Sequence, residues 1–187
     1  MRVVFEGHDG VGKSSIIKVV QEYFTEIGWV VCCLKNPSTI FEKMRRSVDS
    51  SDNLVLSFRF YLMSSLFVET QAELLETKND LILIDRSIFS TIVSHTARGY
   101  PIPVGIEYFS SPDLKFWIRV DEDLRRKRIL DRSCGEVTGH DAKTFSDKII
   151  KQANDLYDRF DMIKIDNSRE LRVATNEVIN IIKSKSK

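Results

Sequence analysis

The chain has 187 residues, of which 42% are hydrophobic and 29% charged, a size and balance typical of one globular domain rather than of a disordered chain. Its 28 basic and 27 acidic residues give a formal charge of +1, which supplies no general electrostatic attraction to nucleic acid or to a membrane surface. We therefore expect a single domain over residues 1–187, with neither nucleic acid nor a membrane as a partner.

The three cysteines, Cys32, Cys33 and Cys134, are too few for a disulfide framework and show no metal-ligand spacing. We expect all three to be reduced thiols. The chain opens on a strand-like segment at 2–6 without an apolar signal region. No apolar stretch approaches the ~20 residues needed to span a bilayer. Together these features predict a cytoplasmic protein.

Short apolar runs alternate with segments of helical periodicity. In chain order, the pattern predicts a strand at 3–5, a helix at 14–27, strand 29–34, helix 53–76, strand 81–84, strand 114–120, helix 123–132, helix 144–160, strand 162–165 and helix 170–183. Residues 183–187 are expected to fray as a polar tail. Strands this short and apolar are typical of a parallel sheet covered on both faces. We therefore predict a three-layer α/β fold with about five parallel strands and ligands at their carboxyl ends.

A glycine-rich loop follows the first predicted strand. Residues 7–14, GHDGVGKS, fit G-x-x-x-x-G-K-[ST] at every fixed position and lie between a strand and an amphipathic helix. Such a loop turns its backbone N–H groups around a phosphate at the positive end of a helix. Lys13 is expected on the β- and γ-phosphates, and Ser14 on Mg²⁺. The motif thus predicts the P-loop NTPase fold with Mg²⁺ and ATP, bound by Gly7, His8, Asp9, Gly10, Val11, Gly12, Lys13, Ser14 and Ser15.

The rest of the chain narrows the class of P-loop protein. A GTPase would show an N-K-x-D motif downstream, and an ABC protein its signature sequence; neither is present. Several arginines instead follow predicted strands and helices. This arrangement suits a kinase of small acceptors, in which cations must neutralise two phosphate groups that face each other.

Four segments resemble the thymidylate kinase family. Residues 5–15, FEGHDGVGKSS, are similar to that family's F-E-G-x-D-G-x-G-K-S loop, and residues 85–90, DRSIFS, to its D-R-Y-x-x-S. Residues 111–114, SPDL, resemble the P-D-L that opens its fourth strand, and 35–37, KNP, lie where it has R-E-P. The resemblance extends over nearly the whole chain. It implies transfer of the γ-phosphoryl of Mg-ATP to a nucleoside monophosphate.

The resemblance assigns roles to the residues at the sheet edge. Asp9 is implied to approach the 3′-hydroxyl of the acceptor sugar, the alternative being a bond to loop amides. His8 is interpreted as a packing or solvent-facing residue rather than a base. Asp85 is predicted to hold Mg²⁺ with Ser14. Arg86 offers a planar fork for the acceptor phosphate, the alternative being an Asp85–Arg86 salt bridge.

Further cations are predicted on both sides of this edge. Lys35 is either a second ligand of the acceptor phosphate or a simple surface lysine. In the charged helix 123–132, Arg125 and Lys127 are expected on a solvated face. Arg128 and Arg132 lie one helical turn apart and match family positions near the adenine and the lid, which implies catalytic contacts to the donor nucleotide. Residues 133–143 are predicted to form a mobile lid.

Departures from the family pattern concern the acceptor. The alignment places Ser64 where the family has a base-reading arginine, Ser87 replaces the tyrosine after D-R, and the predicted lid contains no arginine. We therefore expect a modified or broadened range of monophosphates rather than dTMP alone. A deoxynucleoside kinase is an alternative, although those enzymes place a carboxylate where this chain has Asn36. A catalytically degenerate nucleotide-binding module is another. A homodimer is compatible with all three.

Overall fold

The computed structural model describes residues 1–100, 102, 109–133 and 145–186. Within these ranges, the strands are β1 (Arg2–Glu6), β2 (Val31–Lys35), β3 (Leu81–Asp85), β4 (Leu114–Arg119) and β5 (Ile163–Asp166). They form one sheet in the order β2-β3-β1-β4-β5, in which every neighbouring pair is parallel. Each observed strand overlaps a predicted one, so the predicted parallel sheet is confirmed.

Seven α-helices lie in the described part of the chain: α1 (Lys13–Glu26), α2 (Glu42–Asp49), α3 (Leu54–Leu75), α4 (Ile88–Ala97), α5 (Glu122–Arg132), α6 (Asp147–Tyr157) and α7 (Leu171–Lys185). The sequence pattern predicts all of them except α2 and α4. The prediction that the chain frays from residue 183 is wrong, because α7 continues to Lys185. Ile182 is buried there, and Lys183 Nζ donates a 3.0 Å hydrogen bond to Tyr23 Oη.

The sheet is covered on both faces, as three layers require. Side chains alternate between the faces of each strand, so Val3 and Phe5 of β1 pack with α1 and α7. Val4, on the other face, packs against α3. Helices α4 and α6 cover Trp117 of β4 on that same face. The central strands β1, β3 and β4 are therefore largely buried on both faces, whereas the edge strands β2 and β5 are partly exposed.

The strand order positions the functional edge. The chain places β2 and β3 on one side of β1, and β4 and β5 on the other. In open α/β sheets, ligands bind outside the carboxyl ends of the strands where the order reverses, which here is beside β1. The glycine-rich loop, Asn36 and Arg86 all follow strands at that edge. No helix in the described part of the chain is long and apolar enough to cross a membrane.

Candidate active site

The glycine-rich loop packs closely against helix α5 and against Asn167. Gly10 and Gly12 both have left-handed backbone, with φ of 85° and 91°. A Cβ atom on Gly10 would lie 2.8 Å from Ile129 Cγ1 and 2.9 Å from the carbonyl oxygen of Arg125. On Gly12, it would lie 2.4 Å from Asn167 Nδ2. Both the backbone conformation and the close packing therefore require glycine at these positions.

Lys13 lies inside the loop that precedes it. Its side chain is 6% exposed, and its Nζ donates hydrogen bonds to the carbonyl oxygens of Gly7 at 3.0 Å and His8 at 2.8 Å. Burial, together with the charge of Arg86, lowers the pKa of Lys13 to about 8. Both acceptors are neutral carbonyl oxygens, and Lys13 forms no salt bridge with another described residue. The ammonium can therefore still pair with the phosphates of a nucleotide.

This lowered pKa predicts proton uptake on ligand binding. Near pH 8 Lys13 is partly deprotonated in the free protein, and polyphosphate favours its charged form. We expect Mg-ATP binding at pH 8 to take up roughly half a proton. We also expect the free energy of unfolding of the unliganded protein to rise between pH 8 and the ordinary lysine pKa, because the unfolded chain binds more protons than the folded one there. Titration calorimetry in buffers of different ionisation enthalpy measures the uptake. Lys13→Arg, which stays charged, should abolish it, and an equal uptake in that variant would contradict the assignment.

The predicted metal ligands meet at the ends of β3 and the loop. Ser14 Oγ donates to Asp85 Oδ2 at 3.1 Å. The other carboxylate oxygen, Asp85 Oδ1, is buried and has no hydrogen-bond partner among the described residues. Mg²⁺ is usually held by one or two protein oxygens together with waters and substrate phosphates. A hydroxyl beside an unsatisfied carboxylate oxygen fits that requirement.

Arg86 contacts the loop instead of its sequence neighbour. Its Nη2 donates to Asp9 Oδ1 at 2.7 Å and its Nη1 to Ser90 Oγ at 3.1 Å. The alternative of an Asp85–Arg86 salt bridge is therefore replaced by an Asp9–Arg86 pair, whose side chains are 37% and 22% exposed. The structure thus brings together the two residues that the resemblance assigns to the acceptor.

A buried carboxylate that the sequence analysis missed holds the turn before α4. Arg86 has a φ of 70°, which is strained for a residue with a side chain. Glu6, fully buried at the end of β1, accepts from Ser87 N at 2.8 Å and from Ser87 Oγ at 2.7 Å. Burial raises the pKa of Glu6, and the bonds from Ser87 and Ser90 oppose that shift. Glu6 therefore fixes the turn directly after Arg86.

A buried polar cluster lies at the end of β2. Asn36 Nδ2 donates to Ser65 Oγ at 2.9 Å, and Ser65 Oγ lies 3.1 Å from Thr91 Oγ1. Ser64 is fully buried, and neither its Oγ nor Asn36 Oδ1 has a hydrogen-bond partner among the described residues. Lys35 is exposed. The end of β2 and the inner face of α3 thus place uncharged oxygens where the family pattern has charged groups.

Helix α5 contradicts one expectation. Arg125 does not lie on a solvated face: it is 1% exposed, pairs with Glu122, and donates through Nη1 to the Asp9 carbonyl oxygen at 3.0 Å. The reason is that α5 packs directly against the loop, so this side of the helix has no access to water. Lys127 is exposed, as expected.

Arg128 also contacts the loop, whereas Arg132 is exposed on the last turn of α5. Arg128 Nη1 lies 3.5 Å from the Val11 carbonyl oxygen, and its Nη2 donates to the Asn167 carbonyl oxygen at 3.1 Å. Asn167 Nδ2 donates to the same Val11 oxygen at 2.8 Å. Contacts of Arg128 and Arg132 with a donor nucleotide stay predictions. Of the predicted lid at 133–143, only Ser133 falls within the described residues.

His8 is packed rather than free to act as a base. Its Nε2 lies 2.8 Å from Asn154 Oδ1, and its ring meets that of Tyr157 edge to face at 6.0 Å. Burial lowers the pKa of His8 to about 4, outweighing the bond to Asn154. The imidazole is therefore neutral at pH 7, in keeping with the packing interpretation.

Known proteins resemble this chain in sequence and in fold. A family model described as thymidylate kinase matches residues 5–178. A thymidylate kinase of Caldanaerobacter subterraneus subsp. tengcongensis is 24% identical, over an alignment that covers 96% of this chain and 93% of that protein. The structure of the Ehrlichia chaffeensis thymidylate kinase has a TM-score of 0.69 and 20% identity, over 97% of this chain and 98% of the other. That of the Candida albicans enzyme, described as having broad substrate specificity, has a TM-score of 0.77 and 17% identity, over 100% of this chain and 93% of the other.

Proposed function

Because this chain belongs to the thymidylate kinase family, we propose that it transfers the γ-phosphoryl of Mg-ATP to a nucleoside monophosphate whose base is not restricted to thymine. The family resemblance predicted from the sequence is confirmed, and the chain is a nucleoside monophosphate kinase. One observation carries the proposal for the site: the loop with Lys13 and the Asp9–Arg86 pair lie together at one edge of the sheet.

The loop side would receive the donor. Backbone N–H groups of the loop and the Lys13 ammonium bind the β- and γ-phosphates, and their charge stabilises the transferring group. Ser14 and Asp85 would hold Mg²⁺, which neutralises phosphate charge when it is bound. Most of the catalytic effect then comes from positioning and electrostatic stabilisation, because phosphoryl transfer demands little covalent chemistry from the protein.

The Arg86 side would receive the acceptor. Its guanidinium can bind two phosphate oxygens at once, so an incoming monophosphate competes with Asp9 for it. The released Asp9 carboxylate can then accept a hydrogen bond from the acceptor sugar. An oxygen of the acceptor phosphate attacks the γ-phosphorus, the bond to the β–γ bridging oxygen breaks, and ADP leaves. Contacts with the acceptor thus replace the hydrogen bond between Asp9 and Arg86.

The residues around Ser64 support a broadened acceptor range. A serine hydroxyl cannot reach as far as the arginine that the family pattern has at this position, so one contact to a pyrimidine carbonyl is lost. One unmade hydrogen bond corresponds to about 1–3 kcal/mol of selectivity. Ser64 Oγ and Asn36 Oδ1 are both buried without a partner among the described residues, so neither position supplies a charged donor to a pyrimidine carbonyl.

A panel of acceptors tests the proposal. With ATP and Mg²⁺ in excess, we expect several monophosphates to be phosphorylated, with kcat/KM values within about 100-fold of one another, because the loss of one contact removes a preference for thymine of roughly that size. Preference for dTMP by two orders of magnitude over every other monophosphate would identify an ordinary thymidylate kinase. Preference for nucleosides would identify a deoxynucleoside kinase, and ATP binding without any transfer a nucleotide-binding module.

Three further predictions stay with this proposal: a single kinase domain over residues 1–187, a cytoplasmic location and a homodimer.

Helix α3 exposes four large apolar side chains, Leu56, Met63, Leu66 and Leu74. Their spacing of three to eight residues places apolar side chains along the outside of the helix, and a second copy of the chain would cover them. Sedimentation velocity would show the dimer, and a monomer at all concentrations would exclude it.

A further inference from the structure

Arg125 is a charged side chain in a place where charges are rarely found. It is 1% exposed, and a buried guanidinium is tolerated only when its N–H groups are paired. Nε and Nη2 donate to the two carboxylate oxygens of Glu122, both at 2.7 Å. Nη1 donates to the carbonyl oxygen of Asp9 at 3.0 Å, across 116 residues of sequence. The arginine therefore links α5 to the glycine-rich loop.

The loop atom that Arg125 binds determines where a phosphate-binding amide points. The Asp9 carbonyl and the Gly10 N–H belong to one planar trans peptide and point in opposite directions. When Arg125 holds the carbonyl towards α5, the Gly10 N–H must face away from α5. The Val11–Gly12 peptide is held in the same manner, because Asn167 Nδ2 donates to the Val11 carbonyl oxygen at 2.8 Å and thereby orients the Gly12 N–H.

Asp9 also lies between the proposed donor site at the loop and the proposed acceptor site at Arg86. Its backbone carbonyl is held by Arg125, and its carboxylate by Arg86. The backbone of α5 lies directly against the next residue, since a Cβ atom on Gly10 would be 2.9 Å from the Arg125 carbonyl oxygen. The peptide that follows Asp9 is therefore held from the side of α5, while the Asp9 carboxylate is held separately by Arg86.

We infer that Arg125 is a positioning residue for donor binding, which fixes the Asp9–Gly10 peptide so that the loop presents a preorganised N–H group to polyphosphate. This rests on the proposed function, because the polyphosphate in question is that of ATP. Preorganised donors bind charge without first having to reorient. Removing the guanidinium should thus weaken phosphate binding even though Arg125 is buried, with 1% exposure.

A purely structural role is the competing explanation. Arg125 also pairs with Glu122 and lies 5.9 Å from the centre of the Phe145 ring. Arg126 offers a matched control, since it occupies the next position of the same helix and donates to Glu122 at 2.8 Å. Its other described partners, Phe145 and Asp147, lie outside the loop. Arg125→Met and Arg126→Met each remove one guanidinium from Glu122, and only the first removes a bond to the loop.

The test measures binding of Mg-ATP and of magnesium tripolyphosphate by calorimetry, together with KM for ATP, kcat and melting temperature. Tripolyphosphate has no base or sugar and reports on the loop alone. We expect Arg125→Met to raise the Kd of both ligands by about tenfold or more, as the loss of one charge-assisted hydrogen bond predicts. Arg126→Met should bind both as the wild type does. Guanidinium at millimolar concentration should restore part of the affinity in Arg125→Ala.

Each other outcome has a distinct meaning. If Arg125→Met melts at a lower temperature but binds tripolyphosphate as Arg126→Met does, Arg125 is structural and the inference is wrong. Should Arg125→Met fail to fold, Arg125→Lys replaces it: that variant keeps the charge and should show an intermediate Kd, whereas a wild-type Kd would overturn the inference. If the wild type binds neither ligand, the proposed function fails first, and the inference with it.

Discussion

Replacement of Lys13 by alanine should lower the rate of phosphoryl transfer by a factor on the order of 10² or more, because a preorganised charge at the transferring group is lost. Its Nζ lies within 2.8 Å of the His8 carbonyl oxygen at the centre of the loop, where the phosphates are expected. Steady-state kcat, with ATP and a monophosphate both saturating, measures the effect. Because burial already disfavours the charged form of Lys13, we expect the melting temperature to change little.

Lys18 provides the control for this substitution. It lies on the same helix, α1, and its side chain is 75% exposed and 3.9 Å from Glu22. Exposed pairs of this kind contribute little to stability, so Lys18→Ala should retain the wild-type rate. If Lys13→Ala keeps full activity as well, the glycine-rich loop is not the donor site.

The sheet could be predicted from the sequence because its signals are local. Each strand is a short apolar run, and burial on both faces of a parallel sheet makes such a run continuous. Leu81, Ile82, Leu83 and Ile84 are all buried in β3. The loop is equally local, since its strand, glycines and helix occupy consecutive positions. The order of the strands is not a local property: β3 lies between β1 and β2, whereas consecutive strands are usually neighbours.

Helix α4 could not be predicted from local pattern. Ile88–Ala97 contains several β-branched residues and serines, which have modest helix propensity. What stabilises it is tertiary: Phe89 and Val93 pack into the cluster that contains Tyr157 of α6. Its start depends on Ser87, whose Oγ accepts from Phe89 N while Glu6 holds the same serine from β1.

The role of Arg125 was also hidden from sequence reasoning. A run of arginines and lysines normally marks a solvated face, although the helical period places Arg125 on the same side as Ile129, four residues later, and Lys127 nearly opposite. The distinguishing contact is the Asp9 carbonyl oxygen, which only the folded chain brings near. Glu6 had a visible signal, an acidic residue that ends an apolar strand, but its partners Ser87 and Ser90 lie more than eighty positions away.

Arg86→Lys should chiefly raise the KM of the monophosphate acceptor, by a factor on the order of ten, and leave the KM of ATP much less affected. Arginine binds Asp9 and Ser90 through two different nitrogens at once, and it can offer the same fork to a phosphate. Lysine keeps the charge and loses the fork. Because lysine and arginine are equally strained at a φ of 70°, the substitution changes the head group and not the backbone requirement.

The matched control is Arg119→Lys. Arg119 ends β4 at the same edge of the sheet, is exposed, and lies 4.8 Å from the Trp117 ring. The Arg119→Lys variant should have KM values for ATP and for the monophosphate near those of the wild type. If Arg86→Lys lowers the melting temperature but leaves the acceptor kinetics unchanged, the Asp9–Arg86 pair ties the loop to the end of β3 and does nothing for the substrate. A raised acceptor KM with an unchanged melting temperature would instead show that Arg86 gives up Asp9 to bind the acceptor phosphate.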